Sequence, residues 1–123
     1  MKRTEERELA FKKIYSQFFE INDEFKQELL DINEHAFAKK LVDTYSENKI
    51  EIESTISSHL KGYTISRVNK IDLAIISLAV TELNFIKENP TKVVINEAVE
   101  LAKKYSTEKS PKFINGLLAD ILK

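Results

Sequence analysis

Apolar side chains recur every three or four residues along most of the chain, which is the spacing of one face of an α-helix. The first pattern predicts a helix over residues 4–20, capped by Thr4. Its apolar face is formed by Leu9, Phe11, Ile14, Tyr15 and Phe18. A shorter helical segment that buries Phe25 and Leu29 is predicted after it.

Two further helices are predicted in the middle of the chain. The first runs from a cap at Asn33 through Tyr45, and the second begins near Ile50 and ends at Gly62. Glycine is favoured just beyond a helix because it adopts left-handed backbone angles without steric cost. Both helices have apolar residues four positions apart, namely Phe37, Leu41 and Tyr45 in the first and Ile52, Ile56 and Leu60 in the second.

The most apolar segment spans residues 69–89. Asn69 is expected to cap its helix, with Asp72 in the first turn. Because its apolar residues cover more than half of the helix circumference, this helix should be packed on several sides. The pattern therefore predicts a central helix surrounded by the others.

Two amphipathic helices complete the pattern. One is predicted from about Lys92 to Tyr105, and the other starts with Ser110 as N-cap and Pro111 at the first helical position. The chain has only two glycines and two prolines in 123 residues, fewer than strand-and-turn folds need. We therefore predict one all-α domain over residues 1–123, a compact bundle of about six or seven helices.

The composition argues against catalytic and metal sites. The chain has no cysteine, and its two histidines, His35 and His59, have no carboxylates at ligand spacing. No glycine cluster is available to hold a phosphate, so no enzyme activity, metal or cofactor is expected. No apolar run approaches the roughly 20 residues of a membrane helix. Because the N-terminus also lacks the apolar stretch of a secretory signal, we expect a cytoplasmic protein.

Charge is distributed unevenly around a net charge of −1. Residues 1–19 hold five basic and three acidic side chains, residues 20–60 hold four and ten, and residues 61–123 hold ten and seven. Such a chain could present one face to an anion and another to a cationic partner, or its helix faces could simply be solvated.

Arg3, Arg7, Phe11 and Tyr15 are each four residues apart. Successive members are offset by only about 40° around a helix, so they would form one slanting ridge. Arginine beside an aromatic ring suits single-stranded nucleic acid, because the cation meets phosphate and the ring stacks on a base. The alternative is that the rings belong to the core and the arginines are only solvated.

A second candidate site is the start of the last predicted helix. Lys109, Lys112 and Phe113 lie there, where free backbone N–H groups attract anions. Gly116 lies inside the same helix, where glycine costs about 0.5–1 kcal/mol relative to alanine. We expect either a neighbouring helix or a ligand to approach the backbone closely at this glycine.

Two motifs near the carboxyl terminus are specific enough to compare with known families: INEAVELAKKY at residues 95–105 and SPKFINGLL at residues 110–118. They resemble the carboxyl-terminal signature of the family of the bacterial transcription antitermination factor NusB. Residues 66–83 and 7–15 resemble further segments of that family. The matching residues Asn96, Glu97, Asn115 and Gly116 are expected to have structural roles.

The resemblance implies two packed helical subdomains and a role in the antitermination complex of RNA polymerase. It implies binding of a single-stranded leader RNA of the boxA type, together with the small-subunit ribosomal protein that acts as NusE. It makes Asp72 a candidate contact with this protein partner. The RNA side implied for this sequence consists of Lys2, Arg3, Arg7, Tyr15, Lys109, Lys112 and Phe113.

The sequence departs from the family where Thr4, Glu5 and Glu6 interrupt the usual arginine cluster, and where Tyr63 replaces a tryptophan. Fewer neutralised phosphates mean weaker binding, so we expect the isolated protein to bind RNA weakly and the ribosomal partner to supply much of the basic surface. Two alternatives stay open: a helical scaffold that binds only proteins, and a relative of the helical RNA-binding domain of RNA cytosine methyltransferases. The oligomeric state is also open, with a homodimer among the choices.

Overall fold

The computed structural model describes residues 1–19 and 31–123, and this part of the chain contains six α-helices and no strand. Short 3₁₀ helices cover Asp31–Glu34 and Ile65–Arg67, and a π-helical turn extends the fourth helix over Glu82–Ile86. The all-α prediction is confirmed, whereas the segment predicted around Phe25 and Leu29 lies outside the described residues. The helices are α1 (Arg3–Ser16), α2 (Ala36–Glu47), α3 (Lys49–His59), α4 (Lys70–Thr81), α5 (Thr91–Tyr105) and α6 (Ser110–Ile121).

Helix α4 is the central helix, as its apolar pattern predicts. All residues from 72 to 81 are buried, and each of the other five helices packs against α4. Asn69 caps it by accepting a hydrogen bond from the Asp72 N–H at 2.8 Å. Around α4, helices α1 and α2 pack together on one side, while α5 and α6 pack together on another. None of the described helices combines the length and apolarity that crossing a membrane would need.

The predicted caps Thr4 and Asn33 are wrong, and a tertiary contact explains the first of them. Thr4 lies within α1, and its hydroxyl donates to Glu97 of α5 at 2.7 Å instead of capping the helix. Asn33 lies in a 3₁₀ helix, and His35 is the residue that precedes α2. A helix start that is predicted from a cap residue alone is therefore wrong where the side chain of that residue bonds to another helix.

Two predicted helix ends also shift. Helix α1 ends at Ser16, four residues earlier than predicted, where the Ser16 hydroxyl donates to the Lys13 carbonyl at 2.6 Å. Serine bonds of this kind compete with continuation of the helix. Helix α3 ends at His59, so Gly62 lies three residues beyond it, although its φ of 86° is in the left-handed region that favours glycine.

A buried ion pair joins α1 to the end of α4. The Arg7 Nε and Nη2 atoms donate to the two Glu82 carboxylate oxygens at 2.7 and 2.8 Å, and Asn89 Nδ2 donates to Glu82 at 2.8 Å. Arg7 and Glu82 are only 4% and 1% exposed. The hydrogen bond with Glu82 raises the pKa of Arg7, so the guanidinium stays charged. This pair fixes the rotation of α1 against α4.

A second buried carboxylate ties the start of α4 to the turn between α5 and α6. Asp72 is 5% exposed and accepts hydrogen bonds from the Ser106 hydroxyl at 2.6 Å, the Ser110 hydroxyl at 2.9 Å and Asn69 Nδ2 at 3.0 Å. Ser110 is therefore the first residue of α6 and part of this network, rather than the predicted N-cap, and Lys109 precedes the helix. The network holds the residues at the start of α6 in place.

Removing one partner of the Arg7–Glu82 pair should destabilise the fold strongly. In Arg7→Met the Glu82 carboxylate stays buried without its cation, which costs about 3–5 kcal/mol in such pairs. Urea denaturation measures this loss. Arg7→Met combined with Glu82→Leu removes both charges and should recover most of it, whereas a double variant as unstable as Arg7→Met would contradict the prediction.

Removing the Asp72 carboxylate should loosen the turn that it holds. Asp72→Ala takes the acceptor from three donors, and we expect the free energy of unfolding to fall by about 2–3 kcal/mol. Amide hydrogen exchange should also accelerate at residues 106–109 more than in α1. Asp43→Ala, which removes an exposed carboxylate from α2, is the matched control. An equal loss of stability in both variants would refute the role given to Asp72.

Candidate nucleic-acid interface

The four-residue ridge of α1 does not form a continuous exposed surface. Arg7 and Phe11 are 4% and 3% exposed, and the Phe11 ring packs 5.2 Å from the ring of Tyr105. The expectation that Arg7 faces solvent is wrong, because its guanidinium is enclosed by the ion pair with Glu82. Among the members of the ridge, Arg3 is exposed and Tyr15 is half-buried.

The exposed start of α1 is electrostatically balanced by carboxylates. Arg3 donates to Asn89 at 3.1 Å and to Glu88 at 3.3 Å, and its guanidinium lies 4.2 Å from the centre of the Phe37 ring. Lys40 also pairs with Glu88. Lys2 is exposed next to Arg3. Because Arg3 and Lys40 both pair with Glu88, this end of α1 attracts a phosphate less than the sequence suggests.

Arg3 and Lys112 lie beside opposite faces of α5. Thr4, the neighbour of Arg3, bonds to Glu97, whereas Lys112 lines a groove with Ile95 and Val99. Glu97 is about 200° around the helix from Ile95 and from Val99, so it lies on nearly the opposite face of α5. The single patch expected from Arg3, Arg7 and Tyr15 with Lys112 and Phe113 is therefore not formed.

Tyr15 lies at the other end of α1, about 18 Å along the helix from Arg3. Its ring packs 6.2 Å from Phe11 and 5.1 Å from Phe19, whose side chain is exposed. Since Phe11 contacts Tyr105 at the end of α5, Tyr15 lies at the same end of the bundle as the turn that precedes Lys109.

The remaining predicted residues line an open groove between the end of α3 and α6. The groove has a volume of about 790 Å³. Its walls carry two aromatic side chains, Tyr63 and Phe113, whose ring centres are 6.4 Å apart. We call this feature the α3–α6 groove, and the residues that matter for its chemistry are Lys61, Tyr63, Lys109, Lys112, Phe113 and Gly116.

The electrostatics of the α3–α6 groove differ from those of α1. Within residues 1–19 and 31–123, no carboxylate lies within 4 Å of Lys61, Lys109 or Lys112. By contrast, Lys104 is held by Glu8 at 2.7 Å. Burial raises the pKa of Glu8, but hydrogen bonds from Lys104 and Tyr105 outweigh it, and the pKa is lowered. Two carboxylates, Glu108 and Asp120, also line the groove, but neither forms an ion pair with these lysines. The groove therefore combines three lysines and two carboxylates with partly exposed rings.

Gly116 forms part of the surface of this groove. Within residues 1–19 and 31–123, no heavy atom lies within 4 Å of where a Cβ of residue 116 would be, so none of the described helices makes the predicted close crossing. Asn96 and Asn115 are exposed and line a second groove of about 590 Å³ between α5 and α6, so they are not part of the core. Of the four residues expected to be structural, Glu97 alone joins two helices, through Thr4 and through Arg7 at 3.6 Å.

Asp72 has an internal role where the resemblance implied contact with a partner. Both of its oxygens accept hydrogen bonds from its own chain, and its side chain is buried. The direct contact predicted for Asp72 is therefore wrong for this arrangement. Over the described ranges, no three carboxylate or imidazole side chains are gathered closely enough to hold a metal ion.

Sequence reasoning missed Lys61 and Tyr63 as site residues. They follow α3 in a short loop around Gly62, and no spacing rule links that loop to α6, about 50 positions later in the chain. One signal was present in the sequence, since Tyr63 is a large aromatic residue directly after Gly62. The structure shows that its side chain is 37% exposed.

Known proteins are similar to this chain in fold and in sequence. The model of the NusB family matches residues 4–123. The transcription antitermination protein NusB of Listeria welshimeri is 38% identical over an alignment of 125 positions, which covers 98% of this chain and 96% of that protein. The T. maritima NusB structure has a TM-score of 0.86 and 32% identity, covering 98% of this chain and 90% of that one.

A structure of the antitermination factors NusB and NusE in complex with double-stranded RNA is similar as well. Its TM-score is 0.81 with 34% identity, over 98% of this chain and 97% of that one. The family match over nearly the whole chain and the sequence identity to antitermination proteins agree with the helical architecture described above. The chain belongs to the NusB family.

Proposed function

We propose that this protein is a transcription antitermination factor that binds a single-stranded leader RNA of the boxA type in the antitermination complex of RNA polymerase. In this proposal it binds the RNA together with the small-subunit ribosomal protein that acts as NusE. The observation that carries the RNA site is the α3–α6 groove, where two partly exposed rings lie beside three lysines that form no ion pair with a described carboxylate. The relative that forms a complex of NusB and NusE with RNA supports the choice of partners.

The chemistry of the groove favours unpaired nucleotides. Bases of a single strand can turn outward and stack on aromatic side chains, which contributes roughly 1–3 kcal/mol per base. In a duplex the same base faces are already stacked on their neighbours. Phe113 and Tyr63 offer such faces, while Lys109 and Lys112 are placed to meet the phosphates.

The charge of the described surface accounts for weak binding by the protein alone. Arg7 is used inside the fold and Arg3 is paired with Glu88, so neither arginine is free for phosphate, and the proposed RNA site depends on the lysines of the groove. Each phosphate contact contributes about 0.7 to the salt slope for a single strand. Three contacts give a slope near −2, which is low for a stable RNA complex without a basic partner.

Two exposed carboxylates on α2 and α3 are available to a basic protein partner. Glu47 and Glu51 form no ion pair with a described cation, whereas Asp43 pairs with Lys39. The same surface favours the alternative of a scaffold that binds only proteins. The two functions differ in whether the α3–α6 groove contributes to RNA affinity.

Neutralising two lysines of the groove should weaken RNA binding. In the complex with the ribosomal partner, Lys109→Gln with Lys112→Gln should lower affinity for a boxA-type single strand about tenfold and make the salt slope shallower by about 1.4. Fluorescence anisotropy over a salt series measures both. Lys39→Gln with Lys103→Gln removes the same charge from lysines that already pair with carboxylates. An equal loss in this control would show a general charge effect rather than a site.

RNA binding should depend on the partner and on strandedness. We expect gel shifts to be weak for the isolated protein, strong after addition of the ribosomal partner, and weaker for a duplex of the same sequence. Tight and salt-resistant binding by the isolated protein would contradict the weak cationic surface. Binding of the partner without any gain in RNA affinity would establish the scaffold alternative.

A further inference from the structure

Neither the conformation nor the packing of α6 requires glycine at position 116. Gly116 lies in the interior of the helix, and Gly62 is the glycine whose φ is positive. Among the described residues, a Cβ atom at position 116 would have no neighbour within 4 Å. Alanine would therefore fit here and would favour the helix, since glycine in a helix interior is destabilising. The packing of the described residues therefore gives no advantage to glycine, and we look for that advantage in a ligand.

The open space beside Gly116 is the α3–α6 groove. Phe113 and Leu117 are four residues apart and therefore lie on the same face of α6. Both line the groove together with Gly116. Tyr63 faces them from the loop after α3, with its ring 6.4 Å from that of Phe113. A methyl group at position 116 would project into this space and keep a flat ligand away from the helix backbone.

We propose that the α3–α6 groove is a base pocket, in which one unstacked RNA base lies against the α6 backbone at Gly116 beside the rings of Tyr63 and Phe113. Lys109 and Lys112 hold the phosphates on either side of this nucleotide. The proposal rests on the proposed RNA-binding function and adds the place where a single base is bound. It also gives Gly116 and Tyr63 a role in RNA binding.

Charge favours a nucleotide over an apolar peptide as the occupant. An apolar helix in this groove would remove Lys61, Lys109 and Lys112 from water without giving them an anion, which is costly. A nucleotide supplies both the planar apolar face and the phosphate charge. Glu108 and Asp120 line the same groove, but no described carboxylate lies within 4 Å of these lysines, so their ammonium groups can pair with phosphate.

Gly116→Ala should change stability and RNA affinity in opposite directions. The melting temperature should rise by a few degrees because alanine favours the helix. Affinity of the complex with the ribosomal partner for boxA-type single-stranded RNA should fall at least about fivefold, and further in Gly116→Leu. Ala119→Gly is the matched control, because Ala119 is exposed on α6 outside the groove. It should lower the melting temperature and leave RNA affinity unchanged.

A fluorescent base analogue locates the pocket directly. With 2-aminopurine placed at each RNA position in turn, one position should change its emission on binding to the native complex and lose that change with Gly116→Leu. Full RNA affinity in both Gly116 variants would overturn the base pocket. If Lys109→Gln with Lys112→Gln still weakens binding in that case, only the pocket fails; if it does not, the RNA function of the groove fails too. Loss of the ribosomal partner instead of RNA would assign the groove to a protein.

Discussion

Two buried carboxylates at the ends of α4 set the positions of the surrounding helices. Apolar burial draws α1, α5 and α6 onto α4, but it is not directional and does not fix their rotation. Asp72 and Glu82 supply that direction through hydrogen bonds of 2.6–3.0 Å at the two ends of one helix. The position of every functional side chain on α6 follows from the bonds at the Asp72 end.

The same constraint decides which cations are available to a ligand. Glu82 requires a buried cation, and Arg7 supplies it, so this arginine is no longer available to a phosphate. The lysines that border the α3–α6 groove, in contrast, form no ion pair with any described carboxylate. This redistribution moves the centre of the candidate site from the start of α1 to α6, although α1 has the denser run of basic residues in the sequence.

Periodicity was sufficient to predict the elements that depend on apolar burial. The central position of α4, its Asn69 cap and the course of α5 all follow from patterns within a few turns of helix. Long polar side chains were not predictable in this way, because their partners lie far along the chain. Arg7 bonds to a residue 75 positions away, and Thr4 to one 93 positions away.

Gly116 also shows what the sequence alone cannot predict. The sequence indicated that something approaches the helix there, since glycine is unfavourable in a helix, but it could not distinguish a neighbouring helix from a ligand. The empty space found beside Gly116 excludes the neighbouring helix within the described residues. Its place inside a helix and the open groove beside it together relate Gly116 to a ligand.

One wall of the groove is held in place by the fold without a ligand. Phe113 and Gly116 are on a helix, and the turn before that helix is held by the Asp72 network. A site of this kind spends little binding free energy on ordering itself, so its affinity is limited mainly by the small number of cations around it. A basic partner bound nearby would therefore increase affinity by adding charge along the RNA path, and it would not need to change the shape of the groove.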